Sequence, residues 1–295
     1  MSSTPSTLVI LSTPSLRQRV LTQARRWYSP LNVIGLSLLG LILLVAVFAD
    51  VLAPGDPLDM VGMPLLWPGD DPAHLLGTDS LGRDVLAGLI HGSRASLAIG
   101  LSAAAISLSI GICLGSLAGY FGGKLDRGLV RLIELFQTIP AFLLVIVIVA
   151  IYGPTLRVIL IAIGLSAWPD IARLTRAEFR RLRHQEFVLA AASSGFSHAH
   201  LIIQEMLPNA LPTLIVSTSI LIASAILMES SLAFLGMSDP NIASWGGMIG
   251  LGREQLSSAW FLTALPGAAI VITVLAFNVL GDGLNHALNP RLRRS

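Results

Sequence analysis

The sequence predicts an all-α, polytopic membrane protein with six transmembrane helices and with both termini in the cytoplasm. Only 12% of its residues are charged, against about 25% in an average soluble domain. Five stretches without Asp, Glu, Lys or Arg are at least as long as the ~20 residues that cross a hydrocarbon core. These stretches are 28–49, 95–123, 135–156, 206–228 and 255–281.

The distribution of basic residues adds a sixth span at 157–173, although the uncharged run 158–169 is short for a membrane crossing. Without that span, the five arginines between 173 and 183 would lie outside, against the preference of Lys and Arg for the cytoplasmic side. With it, all basic residues are cytoplasmic except Arg83, Arg94, Arg157 and Arg253. The predicted spans are 33–54, 95–121, 132–152, 157–173, 208–232 and 262–283.

These spans divide the chain into five parts. A cytoplasmic tail at 1–32 precedes the first transmembrane helix at 33–54, which we expect to be a retained signal anchor. An external segment follows at 55–93, and a transmembrane core at 94–284 contains a cytoplasmic loop at 174–207. A basic cytoplasmic tail occupies 285–295. Trp245 and Trp260, between spans five and six, suit a membrane interface.

Several classes of function are disfavoured by what the chain lacks. Cys113, the single cysteine, lies in a predicted span and has no partner for a disulfide. The best candidate for a phosphate-binding loop, around Lys124, has Ala118 and Leu125 where Gly and Ser or Thr are needed. The histidines are scattered and no nucleophile–base pattern is recognisable, so we expect no metal site, no catalytic residue and no enzyme. Topology and anionic lipid explain the sequence pI of about 9.1 without nucleic acid.

A polar segment at 171–212 interrupts the apolar sequence between predicted spans four and five. Four of its arginines follow helical steps of three and four residues, along one side of a helix: Arg173, Arg176, Arg180 and Arg183. Gly195 is a natural helix stop, Ser197 can cap a short second helix, and Leu207-Pro208 is expected to end it. A basic loop held to anionic lipid and a docking element for a cytosolic partner both fit this pattern.

Part of this segment matches a known motif. Glu186 to Ala191 (EFVLAA), followed by Gly195 and Leu207-Pro208, resembles the EAA loop of bacterial ABC-importer permeases. Four further stretches resemble the dipeptide, oligopeptide and nickel group of these permeases, in its second-permease branch. They are GTD and LGRD at 77–84, GGKLD at 122–126 with Arg131, SLAFLG at 231–236 with WG at 245–246, and FN and GD at 277–282.

The resemblance implies a type I importer fold with a MetI-like core in a bacterial inner membrane. It also implies a heterodimer with a second homologous permease, an extracytoplasmic substrate-binding protein and two ATPase subunits. ATP and magnesium would be bound by the ATPase subunits, so no cofactor is expected in this chain. The residues implied to contact the ATPase are Glu186, Ala190, Ala191, Gly195, Phe196, Ser197, His198, Leu207 and Pro208.

The chain departs from the family pattern at several positions. The family usually has Arg where this chain has Ala192, and often Arg-His near 204–206, where this chain has Gln, Glu and Met. Asn285, His286 and Asn289 replace charged residues that are commoner near the C-terminus. We therefore expect the same architecture with a contact surface suited to its own ATPase.

Charged residues in or near the spans have two interpretations each, because charge in hydrocarbon is costly. Glu229, with Ser230, is a wall of the translocation path or a packing carboxylate hydrogen-bonded to a neighbour. Asp79, Arg83 and Asp84, together with Trp245, dock the binding protein; alternatively, the charged trio caps span two and orders the external segment.

The sequence thus predicts half of the translocation path of an ATP-driven importer. Small peptides are the first choice of substrate, and nickel, opines and glutathione-like compounds are alternatives. A different class, a stand-alone secondary transporter with Glu229 as its ion site, is disfavoured because the chain lacks a second inverted half and has the EAA-like loop.

Overall fold

The computed structural model describes residues 30–288, which form helices and connecting segments. The remaining parts of the two predicted tails lie outside the described residues. The helices are α1 (Pro30–Val47), α2 (Ala49–Leu52), α3 (Val85–Phe121), α4 (Gly123–Gln137), α5 (Ala141–Tyr152), α6 (Leu156–Leu182), α7 (Glu186–Ser193), α8 (His198–His200), α9 (Leu207–Phe234), α10 (Trp245–Gly252) and α11 (Phe261–Leu288). A π-helical turn (Leu201–Met206) precedes α9, and a 3-10 turn (Arg253–Gln255) follows α10.

Four helices in the described part of the chain are long and apolar enough to cross a membrane: Val85–Phe121, Leu156–Leu182, His198–Phe234 and Phe261–Asn285. A bent helix pair counts as a fifth span if its two members are taken together, and Asn32–Val47 is a shorter apolar helix. The prediction of an all-α membrane protein is confirmed. The count of six spans and the orientation of the termini stay predictions.

The third span predicted at 132–152 is not one continuous helix. The chain instead forms α4 and α5, whose axes are bent by 73° at a short break. Pro140 lies at this break and is extended, with ψ 129°. Its ring removes a backbone donor and disfavours the helical conformation at Ile139, so the helix ends and a new one begins in another direction.

The short helix after Gly195 does not end at Leu207-Pro208, contrary to expectation. It runs from His198 through the π-helical turn into α9, so that His198–Phe234 is one continuous helix. Pro208 cannot donate a hydrogen bond, and the wider π turn immediately before α9 accommodates the missing donor. The polar segment is therefore joined rigidly to the fifth predicted span.

Three glycines bring α3 against α6. Gly111, Gly115 and Gly119 are four residues apart and share one face of α3. A Cβ at these positions would lie 2.6 Å from Ile171 Cβ, 2.5 Å from the Ala172 carbonyl oxygen and 2.6 Å from Phe179 Cβ, respectively. Because no side chain separates the backbones, the two helices pack at unusually close range.

The two ends of α3 contact different parts of the chain. Near its C-terminal end, Tyr120 bonds to His198 of the polar segment. Near its N-terminal end, Leu89 and Ser96 accept hydrogen bonds from Trp245. A helix of 37 residues is about 55 Å long. The segments that the sequence assigns to opposite sides of the membrane thus lie at opposite ends of α3.

Candidate functional site

The first candidate site is the segment 183–208, here called the coupling segment. Its helix α7 ends at Ser193, and Gly195, two residues later, has φ +83°. The Gly195 N–H donates to the Ala192 carbonyl over 3.1 Å, and the Phe196 N–H donates to Ala191 over 3.3 Å. This pair of bonds is a Schellman ending, which needs a residue in the left-handed region. The predicted helix stop at Gly195 is confirmed.

A second helix begins two residues later, as expected. The Ser197 hydroxyl accepts a hydrogen bond from the His200 N–H over 3.3 Å, which satisfies one free donor of the new helix. The Phe196 ring stacks on the His200 ring, with centroids 4.3 Å apart. The His200 imidazole also lies 3.7 Å from the carboxylate of Glu205. Glu205, one of the departures from the family pattern, therefore contacts the short helix that follows Gly195.

The coupling segment exposes apolar side chains. Phe187 is 39% exposed, Leu189 52% and Phe196 50%, whereas Val188 is only 3% exposed and anchors α7 to the core. Exposed Glu186 lies at the first turn of the same helix. Several large apolar residues on one short exposed element are typical of a contact surface.

Contacts with the end of α3 hold this surface in place. The Tyr120 hydroxyl lies 2.7 Å from His198 Nδ1, and the rings of Tyr120 and Phe121 pack against the imidazole. The Arg183 guanidinium donates to the Phe121 carbonyl over 3.5 Å. A displacement of the coupling segment would therefore act on α3 as well as on α9.

Two arginines of the row that leads into the coupling segment form ion pairs within the chain, Arg173 with Asp170 and Arg176 with Asp126. Arg176 binds both carboxylate oxygens of Asp126, with 2.8 Å between Nη2 and Oδ2. These two side chains are only 24% and 15% exposed. Asp126 belongs to the GGKLD motif, so the pair ties α4 to α6.

The Asp126–Arg176 pair is expected to contribute more to stability than a surface ion pair. In a double-mutant cycle with Asp126→Asn and Arg176→Gln, we expect a coupling free energy of about 1.5–3 kcal/mol, because the bond is bidentate and partly buried. The matched control is Asp170→Asn with Arg173→Gln, a pair three residues apart on α6 whose side chains are 74% and 60% exposed, which should couple by about 0.3–0.5 kcal/mol. Equal coupling in both cycles, measured by thermal unfolding in detergent, would contradict this expectation.

The second candidate site lies at the other end of α3. Asp79 Oδ1 accepts hydrogen bonds from the N–H groups of Leu81 and Arg83, over 2.8 and 2.9 Å. Asp84 Oδ1 accepts from the Ala87 N–H over 2.8 Å and caps α3, while its Oδ2 lies 2.8 Å from His74 Nδ1. Asp84 thus caps α3, and both acids order the external segment. Docking of a binding protein stays a prediction.

The other two predicted docking residues differ in accessibility. Arg83 lines a cavity of about 520 Å³. Trp245 is only 3% exposed; its indole donates to the Leu89 carbonyl over 2.9 Å, and its backbone N–H donates to Ser96 over 3.2 Å. Trp245 therefore packs inside the protein rather than at the membrane interface, whereas Trp260 is 57% exposed.

Glu229 is buried near the external end of α9, with 2% of its surface exposed. Its Oε1 accepts a hydrogen bond from the Ser244 hydroxyl over 2.8 Å, and that hydroxyl accepts from the Gly247 N–H over 2.9 Å. Within residues 30–288, Oε2 has no hydrogen-bond partner. Ser230 donates only to the Ile226 carbonyl of its own helix. The carboxylate thus connects α9 to the cap of α10, and its place in a path stays a prediction.

Comparison with known proteins identifies the family. Residues 111–294 match the family described as "Binding-protein-dependent transport system inner membrane component". The chain belongs to this family. It is 40% identical over 267 residues, 88% of each chain, to the Di/tripeptide transport system permease protein DppC of Pseudomonas aeruginosa. It is 34% identical over 268 residues to the Oligopeptide transport system permease protein OppC of Bacillus subtilis, over 90% of this chain and 87% of the relative.

Solved structures agree with the MetI-like core. This inner-membrane component superimposes on a chain of the inward-facing MetNI methionine ABC transporter with a TM-score of 0.57. The match covers 68% of this chain and 96% of that chain, at 19% identity. A chain of an amino acid ABC transporter gives a TM-score of 0.53 at 14% identity, over 68% and 94% of the two chains. At these identities the likeness shows the fold alone.

Some residues that build the sites of this transport component were not anticipated from the sequence. Ser244 connects Glu229 to α10, and Tyr120 holds His198. Neither carries a distinctive local pattern. The glycines at 111, 115 and 119 did carry one, since their spacing of four marks a close helix contact.

Proposed function

We propose that this chain is the transmembrane permease subunit of an ATP-driven importer of di- and oligopeptides. It forms half of the translocation path with a second homologous permease, receives substrate from an extracytoplasmic binding protein, and is driven by two ATPase subunits. The observation that carries the proposal is the coupling segment, which exposes apolar residues while it is bonded to α3 and continuous with α9. The names of the related dipeptide and oligopeptide permeases support the substrate class.

The geometry provides a route from the ATPase to the path. An ATPase that moves the coupling segment would push on α3 through His198 and on α9 through the continuous helix from His198 to Phe234. At the far end of α9, Glu229 transmits the movement to α10 through Ser244. A difference of a few kcal/mol between inward-open and outward-open states is enough for ATP and substrate to redistribute them.

Reconstitution tests this function. The chain is placed in proteoliposomes with its second permease, ATPase and binding protein, and uptake of a radiolabelled dipeptide is measured. We expect uptake only when ATP is present on the side of the membrane that carries the ATPase subunits. Other peptides should compete with the labelled dipeptide, whereas nickel and opines should not. Transport by the chain alone along an ion gradient would instead support a secondary transporter.

The substitution Glu229→Gln removes the charge of this side chain and keeps its size, so it tests the two roles of Glu229 separately. Gln at 229 keeps an oxygen that accepts from Ser244, so we expect Glu229→Gln to fold normally. If the carboxylate faces the path during transport, loss of its charge should slow peptide uptake by about tenfold, the size expected for one charged hydrogen bond.

The matched control is Ser231→Ala, two residues away, whose hydroxyl donates to the Leu227 carbonyl of its own helix. This variant should transport like the unmodified protein. Unchanged uptake kinetics in Glu229→Gln would assign Glu229 to packing alone.

A further inference from the structure

The cavity at the external end of α3 contains an arginine, Arg83, that has no partner among residues 30–288. It is formed by the external segment, by the residues that follow α9, and by α10. Its volume of about 520 Å³ falls in the ~300–1,000 Å³ range of small-molecule sites. Within the described residues, the Arg83 side chain makes no hydrogen bond or ion pair, although its Nε is fully buried. An unsatisfied donor on a charged group is costly, which makes this guanidinium a binding position for an anionic acceptor.

The acidic residues of the cavity do not supply that acceptor. Asp79 and Asp84 bind backbone N–H groups, as described above. Asp239 accepts from the N–H groups of Leu156 and Asn241, over 2.8 and 3.0 Å. The Glu254 side chain is 75% exposed and lies 3.9 Å from Arg253. Arg253 in turn donates to the Phe234 carbonyl.

The residues that line the cavity nevertheless favour a ligand that carries both a positive and a negative charge. Four carboxylates and two guanidinium groups line the cavity, so a simple anion would meet an excess of negative charge. An ammonium group on the same ligand would be held by that excess, while its carboxylate reaches Arg83. Apolar side chains on the same wall, among them Leu81, Met248 and Leu251, can receive an aliphatic side chain.

We infer that this cavity is a subsite for a short zwitterionic peptide, with Arg83 as the ligand of its terminal carboxylate. The inference rests on the proposed function for its substrate class, but binding needs neither ATP nor an ATPase. A peptide leaving a binding protein would be held here before it enters the membrane path.

The test uses the full chain in lipid nanodiscs and isothermal titration with L-alanyl-L-leucine. We expect saturable binding, weakened about tenfold or more when the peptide carries a C-terminal amide, because a charge-assisted bond is lost. N-acetylation should also weaken binding. In Arg83→Gln, the preference for the free peptide over its amide should be lost. Arg157→Gln, which alters an exposed arginine outside the cavity, should discriminate between them like the unmodified chain.

Three results would overturn the inference. The first is equal binding of the peptide and its amide to the unmodified chain, a comparison that does not depend on a variant folding. The second is a continued preference of Arg83→Gln for the free peptide over its amide. The third is equally tight binding of N-acetyl-aspartic acid amide, which would assign the cavity to an acidic side chain of a protein partner. If binding behaves as expected while uptake does not depend on ATP, the subsite stands and the importer function fails.

Discussion

Replacing Gly115 by alanine is expected to destabilise the protein, although alanine is the better helix former. A Cβ at this position would lie 2.5 Å from the Ala172 carbonyl oxygen and 2.7 Å from Thr175 Cβ. Because one obstacle is backbone, α3 and α6 must move apart. We expect a loss of about 1–3 kcal/mol in the free energy of unfolding, seen as a lower midpoint of thermal unfolding. Leucine at 115 should prevent folded protein from accumulating.

Gly267 supplies the matched control for this prediction. It lies inside α11, another helix long and apolar enough to span a membrane, and a Cβ there would meet nothing within 4 Å. Gly267→Ala should therefore leave stability unchanged or raise it by up to about 1 kcal/mol. If Gly115→Ala were as stable as Gly267→Ala, close backbone packing between α3 and α6 would not be needed for the fold.

The helices were largely predictable, because uncharged runs of membrane length are a property of the sequence alone. The bend at Pro140 was not. Pro169, Pro212 and Pro266 lie inside helices that continue past them, whereas the chain breaks at Pro140. Whether a proline breaks a helix depends on neighbouring groups that satisfy the freed carbonyl, and these come from tertiary packing.

The candidate sites, like the helices, were predictable from the sequence only in part. Gly195 and Ser197 act on groups within five residues of themselves, so helix-ending and capping rules located the coupling segment. The bonds that hold this segment and the arginine row before it join distant residues: Tyr120 and His198 are 78 positions apart, and Asp126 and Arg176 are 50 apart. No local pattern specifies such pairs.

Replacing Gly195 by glutamate is expected to leave the protein in the membrane and to abolish most ATP-driven uptake. Nothing lies within 4 Å of a Cβ at 195, so the change does not crowd the fold, but φ is +83° there. A side chain in this left-handed region costs about 1–2 kcal/mol and would loosen the turn between α7 and α8. The added carboxylate would also stand beside exposed Phe196, where an apolar contact with the ATPase would have to desolvate it at a cost of several kcal/mol.

The effect of the backbone conformation can be separated from the effect of the added charge with Gly195→Asn as the matched control. Asparagine tolerates the left-handed conformation and has no charge, so this variant should retain most of the uptake measured in proteoliposomes. Gly195→Glu should lose about tenfold or more, at an equal amount of membrane-inserted protein. Because ATP hydrolysis by the assembled complex should then no longer respond to substrate, the defect would lie in coupling rather than in folding. Normal ATP-driven uptake by Gly195→Glu would show that this turn does not seat against the ATPase.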